Sequence, residues 1–213
     1  MKFTITLLTK ERQRKLRKQL VRLFHEVSQG PPYSVHYSVE EAERGIDEYL
    51  SLDSTIMVGI FHKRKLVGVS TATSLLDTYP NQDNGFFEWA ADNHIPPDTI
   101  CCARHILIYE NFRHMGAMPA TTDVIKEEIW EQGYTWICAT AVRFEDPEHA
   151  GRPDRYMRAI GHQRIGYPPI VTTWRKVNNP DETFTRLNDL YAQAKPRTMK
   201  PIASLEGLSL KKD

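Results

Sequence analysis

Residues 100–141, ICCARHILIYENFRHMGAMPATTDVIKEEIWEQGYTWICATA, read as strand, tight loop, helix and strand. The apolar run Ile106-Leu107-Ile108-Tyr109 fits a buried strand. A loop over 111–118 follows and carries Arg113 and Gly116. A helix is expected over 119–132, closed by Gly133, with the next strand over 134–142. A helix opening directly after a glycine-bearing loop leaves its first backbone N–H groups unpaired and pointing outward, which makes a site for a phosphate or pyrophosphate.

Working outward, residues 3–8 (FTITLL) form a first strand, and Thr9 caps a helix over 10–28. Leu16, Leu20, Leu23, Phe24 and Val27 share one face of that helix. Gly30-Pro31-Pro32 ends it. Ser38 opens a second helix that runs to Leu52, with Glu41 completing a capping box. Strands over 55–61 and 66–75 flank the polar turn His62-Lys63-Arg64-Lys65 and predict a β-hairpin. Residues 77–99 make a long connection that holds Pro80, Pro96, Pro97, Phe86, Phe87 and Trp89, with a short helix over 86–93. A connection of this length in a compact domain is often functional. Downstream come a loop over 146–151, a short helix over 152–160 ended by Gly161, and a strand over 170–177. Residues 181–194 read as an amphipathic helix with Phe184, Leu187, Leu190 and Tyr191 on one side. The organisation expected is one α/β domain over 1–178 with an insertion at 77–99, a C-terminal helix at 179–195 and a flexible tail at 196–213.

Composition narrows the class. The length suits a single domain with an ample core. The formal net charge of +1 predicts no polyanionic partner. No run of about 18 apolar residues occurs, so no membrane-spanning helix is expected. The N-terminus MKFTITLLTKERQRK lacks the long apolar region and small-residue cleavage site of a secretory signal. Cys101, Cys102 and Cys138 all fall in expected core strands and read as reduced thiols of a cytoplasmic protein, with neither a disulfide frame nor a metal-ligand spacing.

The loop Arg113-His114-Met115-Gly116-Ala117-Met118 resembles the R/Q-x-x-G-x-G/A pyrophosphate loop of the GNAT superfamily of acyl-CoA N-acyltransferases, with Met118 where that pattern has Gly or Ala. The order β-α-α-β-β-β-α-β-α-β over about residues 3–177 is similar to the GNAT fold, and the layout of the first half resembles small acetyltransferases of bacteria and their viruses. The tract Arg155-Tyr156-Met157-Arg158-Ala159-Ile160-Gly161-His162 resembles the family's L-Y-x-x-x-G-F segment, with Tyr156 one residue before the family's tyrosine position at Met157.

This resemblance implies an α/β fold with a central, mixed and mostly antiparallel sheet flanked by helices. It implies acetyl-CoA as co-substrate, no metal, and acetyl transfer to an amine by direct attack. The cofactor contacts implied are Leu107, Ile108 and Tyr109 on the fourth strand, Arg113, His114, Met115, Gly116, Ala117 and Met118 in the loop, and Thr121, with Thr122, as hydroxyl donors in the first helical turn. His105 stands where a general base is often found, and its alternative is a strand histidine hydrogen-bonded in the core or facing solvent. Glu110 is the nearest carboxylate, and a water relay is the other route for the proton. Tyr156 is the general acid, its alternative a packing tyrosine. Phe86, Phe87 and Trp89 line an acceptor pocket with Glu88 or Asp92 attracting an amine, or else form the small core of a self-packed Ω-loop.

The acceptor implied is a small-molecule or peptide amine, and a homodimer is common in the family. The basic run Lys10, Arg12, Arg14, Lys15, Arg17, Lys18 and Arg22 raises a nucleic-acid-directed enzyme as an alternative, with a solvated face the favoured reading. His36-Tyr37 resembles a pair in phage DNA-modifying acyltransferases with a GNAT-like core, and a turn leading into the helix explains it equally. A non-catalytic GNAT-like binding module is the remaining alternative.

Overall fold

Strand β1 (Phe3–Leu7) leads to α1 (Lys10–Lys15), α2 (Arg17–Gln29) and α3 (Val39–Ser51), then to the hairpin β2 (Ile56–His62) and β3 (Lys65–Ser74). The connection beyond holds α4 (Leu75–Thr78) and α5 (Gly85–Asp92). The central unit is β4 (Ile100–Ile108), α6 (Ala117–Glu131) and β5 (Trp136–Val142). Next come α7 (Arg152–Ala159), β6 (Gln163–Arg164), β7 (Ile170–Arg175), β8 (Thr183–Ala194) and β9 (Leu208–Lys212). The computed structural model describes residues 2–30, 33–143, 152–196 and, for backbone alone, 208–212.

The strands form one nine-stranded sheet in the order β6-β8-β5-β4-β3-β2-β1-β9, with β7 also paired to β8. Only β4–β5 and β1–β9 are parallel. Helices α1 to α3 cover one face through Leu20, Leu23, Phe24 and Ile46, packed on Met57, Val69 and Leu107. On the same face α5 covers the β4–β5–β8 end with Phe86 and Trp89 against Cys102, Cys138 and Leu190. Helix α6 covers the opposite face with Ile125, Ile129 and Trp130 on Ile5, Val58, Cys101 and Ile137, and α7 lies beside it through Met157. The three cysteines are buried and free.

Local signals explain most element boundaries. Thr9 Oγ1 accepts from the Arg12 N–H at the start of α1. Ser38 and Glu41 form the capping box, with Glu41 Oε2 2.8 Å from Ser38 N and Ser38 Oγ 3.2 Å from Glu41 N. The hairpin turn sets Lys63 (φ 47) and Arg64 (φ 67) in the left-handed region, the geometry of a type I′ turn.

Three expectations are corrected. The single helix over 10–28 is divided at Leu16, whose N–H reaches both the Arg12 and Gln13 carbonyls in a tightened turn. The helix expected within 179–195 is instead strand β8. Its spacing of Phe184, Leu187, Leu190 and Tyr191 suits a helix, but the segment lies between β5 on one edge and β6 and β7 on the other, and ladder pairing on both edges decides its conformation. Within the tail expected to be flexible at 196–213, residues 208–212 pair in parallel with β1, and 197–207 and 213 lie outside the described residues. Among the described residues no helix is long and apolar enough to cross a membrane.

Candidate active site

The site begins with one unmatched residue in β4. Thr71 pairs with His105 and Ala72 with Ala103, so Arg104 is a β-bulge. The parallel pairing of β4 with β5 runs only from Ile100↔Trp136 to Ala103↔Ala139 and stops at that bulge. Beyond it, β4 continues to Ile108 with no strand partner on its β5 edge among the described residues, and a cleft opens between the two strands. Tyr109 N–H donates to Val67 O at 3.1 Å, so odd-numbered residues of this stretch turn their backbone to β3, and Ile106 and Ile108 turn theirs to the cleft. Their carbonyls are taken by side chains. Tyr33 Oη donates to Ile106 O at 3.0 Å, and Arg113 Nε donates to Ile108 O at 3.0 Å. The Ile106 and Ile108 N–H groups face the same cleft. Of the three strand residues expected to hold cofactor, only Ile108 presents backbone there. Leu107 and Tyr109 pair toward β3, and Ile106 turns its backbone to the same edge as Ile108.

The cleft leads to the N-terminus of α6. Gly116 caps it at φ 78, with no side-chain hydrogen bond to the helix. Nothing lies within 4 Å of where a Gly116 Cβ would stand, so the glycine is required by its φ and not by space. His114 (φ 60) is exposed, as is Met115. Arg113 turns back onto β4 through its Nε. Met118, the departure from the family pattern, packs half-buried against the cluster of Phe3, Ile108 and Ala117, away from the loop amides. Pro119 has no N–H, so the outward amides of the first turn are those of Gly116, Ala117 and Met118. Thr121 is corrected: its hydroxyl is fully buried and donates to Ala117 O at 2.7 Å, so it has no proton for a phosphate. Thr122 donates to Met118 O at 3.0 Å and meets Tyr156 Oη at 2.8 Å. Tyr156 therefore reaches the first turn of α6 from α7, while Met157 is buried on Ala139, Ala141 and Tyr191. Burial raises the Tyr156 phenol pKa. One turn along α6, Lys126 donates to Ile160 O at the end of α7. Burial pushes the Lys126 pKa down to about 8. Buried nearby, His162 has no hydrogen-bond partner on either ring nitrogen among the described residues, and burial with Lys126 close by holds its pKa down to about 3.

The opposite face of the cleft is aromatic. Because Arg104 bulges, Arg104 and His105 both point toward α3 and meet at Tyr49. Arg104 Nε donates to Tyr49 Oη at 3.2 Å, and Tyr49 Oη lies 2.9 Å from His105 Nδ1. The His105 ring also packs edge-on against Phe24 at 5.4 Å. Burial and the neighbouring Arg104 charge push the His105 pKa down to about 3. A neutral imidazole with so weak an affinity for protons shares the tyrosine hydrogen bond but is a poor base for an ammonium. The structure thus favours the hydrogen-bonded strand histidine over the general base. Around it, the Arg104 guanidinium stands over Tyr79 at 5.7 Å, and Tyr37 packs on Phe24 at 5.2 Å and on Trp174 at 5.7 Å. Arg175 pairs with Glu41 and Arg186 donates to Tyr33 O at 2.7 Å, tying the segment before α3 to β7 and β8. Arg104 and Tyr33 are open to solvent yet surrounded by protein on most sides, as side chains in a cleft are.

Phe86 (1% exposed) and Trp89 (7%) lie under α5 against Leu75, Ile100 and Leu190, with the Trp89 and Trp136 rings 5.0 Å apart. They are core of the insertion and do not line a pocket. Phe87 is half-buried in the same cluster, and Asp92 accepts from Tyr167 Oη at 2.6 Å. Four cations of the basic run are held by neighbours. Arg17 forks onto Asp47 at 2.6 and 2.7 Å, Arg22 pairs with Glu26, Lys15 with Glu11, and Lys10 Nζ donates to Leu52 O.

The sheet parted at a bulge, with a glycine-led helix at the end of the parting, is the fold of the GNAT acetyltransferases. A GNAT-family acetyltransferase from Desulfovibrio desulfuricans matches with TM-score 0.53 and 11% identity, covering 83% of this chain and 92% of that one. Ribosomal-protein-alanine N-acetyltransferase from Brucella melitensis matches with TM-score 0.58 and 10% identity, covering 90% and 99%. Aminoglycoside 6'-N-acetyltransferase from Enterococcus faecium matches with TM-score 0.56 and 12% identity, covering 92% and 99%. No protein-family model matches the sequence, and no curated protein aligns with it. At these identities the likeness is one of fold.

Proposed function

We propose that the protein is an N-acetyltransferase that moves an acetyl group from acetyl-CoA to an amine on a small molecule or peptide, without a covalent enzyme intermediate. The observation that carries this reading is the juxtaposition of an unpaired β4 edge, opened by the Arg104 bulge, with the Gly116-led N-terminus of α6 at the end of that edge.

Acetyl-CoA supplies a thioester carbonyl activated toward amines. The residues present fit it. The Gly116, Ala117 and Met118 amides and the α6 dipole suit a pyrophosphate, and Arg113 adds charge. The Ile106 and Ile108 N–H groups offer the pairing that an amide-bearing arm needs, with Tyr33 and Arg113 holding the carbonyls between them. Tyr156, its phenol protonated throughout the neutral range, holds a proton for the departing sulfur on the α7 side. With His105 a weak base, the proton of the attacking amine leaves through water.

Calorimetric titration of acetyl-CoA and CoA into the wild type and Gly116→Trp tests the reading. Binding by the wild type with loss in the variant supports it. Absence of binding to the wild type overturns it and turns attention to a non-catalytic GNAT-like scaffold.

A further inference from the structure

We infer that the acceptor amine carries a carboxylate, as an amino acid does, and that Arg104 binds it. This deepens the acetyl-transfer reading and rests on it. Arg104 is a cation in a strand otherwise made of Ile, Cys, Ala, His and Leu, and among the described residues no carboxylate pairs with it. Its guanidinium keeps access to solvent, so a dissolved ligand can reach it. Its Nε is committed to Tyr49 Oη, and the Tyr79 ring lies beneath its plane, so its orientation is fixed from two sides. Its two terminal nitrogens have no hydrogen-bond partner among the described residues. They form the fork that matches a carboxylate with two parallel hydrogen bonds. Glu41, the carboxylate nearest the Tyr37 side of this face, is already held by Arg175 and by the Ser38 N–H, so it does not compete.

The position gives the residue its role. Arg104 sits where β4 leaves β5, on the face opposite Tyr156 and the α6 N-terminus. A cofactor lying along the β4 edge from the α6 side leaves this aromatic face, walled by Tyr37, Tyr79 and Trp174, for the acceptor. Carboxylate capture there orients the amine toward the parting of the strands.

The test measures CoA thiol release with phenylalanine, leucine and methionine, each against its decarboxylated amine, using wild type, Arg104→Gln and Arg104→Lys. The expected wild-type preference in kcat/KM for the carboxylate-bearing member is roughly tenfold or more. That ratio falls to near one in Arg104→Gln and is partly kept in Arg104→Lys. Equal rates within the pairs in the wild type overturn the inference and leave acetyl transfer standing. Equal loss on both members in Arg104→Gln also overturns it, since the arginine then serves only the fold. Acetyl-CoA binding with no turnover of any acceptor overturns the inference and the transfer reading together.

Discussion

Tyr49 Oη lies 2.9 Å from His105 Nδ1 and also accepts from Arg104 Nε at 3.2 Å, so one phenol oxygen ties both residues of the bulge to α3. Removing the hydroxyl with Tyr49→Phe strands both partners in the cleft. The expected cost is about 1–3 kcal/mol of folding stability, read as a lower denaturant midpoint at unchanged slope. An unchanged midpoint would show that water replaces the phenol freely.

The rate should not carry the signature of a titrating His105. Its pKa, held down to about 3, leaves the ring neutral across the working range. The acid limb of kcat/KM is expected to follow the acceptor's own amine pKa and to stay in place in His105→Gln. A limb near pH 6.5 that vanishes in the variant would restore His105 as the base.

Stability has its own dependence on acid. His105 and His162 both have folded pKa values of about 3 against an ordinary 6.5. Between those values the unfolded chain binds protons that the folded chain refuses, so stability present above pH 6.5 is lost as pH falls toward 3. Folding free energy measured against pH should decline over that window with a slope approaching two protons. His162→Leu should remove about one of them. A flat profile between pH 6.5 and 4.5 would contradict the burial assigned to these rings.

Tyr156→Phe should lower kcat about a hundredfold and leave the KM for acetyl-CoA within a few-fold, because the acid is lost while the packing surface stays. Thr122 keeps its bond to Met118 O in the variant, so α6 is undisturbed. A loss in kcat below about threefold would make Tyr156 a packing residue.

Lys63 and Arg64 both hold positive φ in the β2–β3 turn. Arg64→Gly is expected to raise stability by roughly 1 kcal/mol, seen in thermal unfolding, since glycine adopts that conformation without a Cβ clash. A decrease would mean that the Arg64 side chain contributes more than its backbone costs.

The strand–loop–helix–strand unit over 100–141, the hairpin and the Ser38 capping box were legible because each is specified by neighbours in sequence. Strand β8 was not, since its conformation is set by partners on β5, β6 and β7, and its apolar spacing alone fits a helix. Phe86 and Trp89 looked available for a ligand because their covering residues, Leu190 and Ala192, come from that misread strand. Tyr33, Tyr37 and Tyr49 carry no local signal of a shared cleft.

The bulge at Arg104 also inverts the parity of β4. Cys101 and Ala103 face α6 before it, and after it Ile106 and Ile108 face α6 while His105 and Leu107 face α3. Deleting that single residue would leave every later side chain on its present face, remove the bulge from the pairing with β3 and let β4 zip along β5. The opening between the strands is thus encoded by chain length at one point, and a frame-preserving deletion of one codon would close it more completely than any substitution.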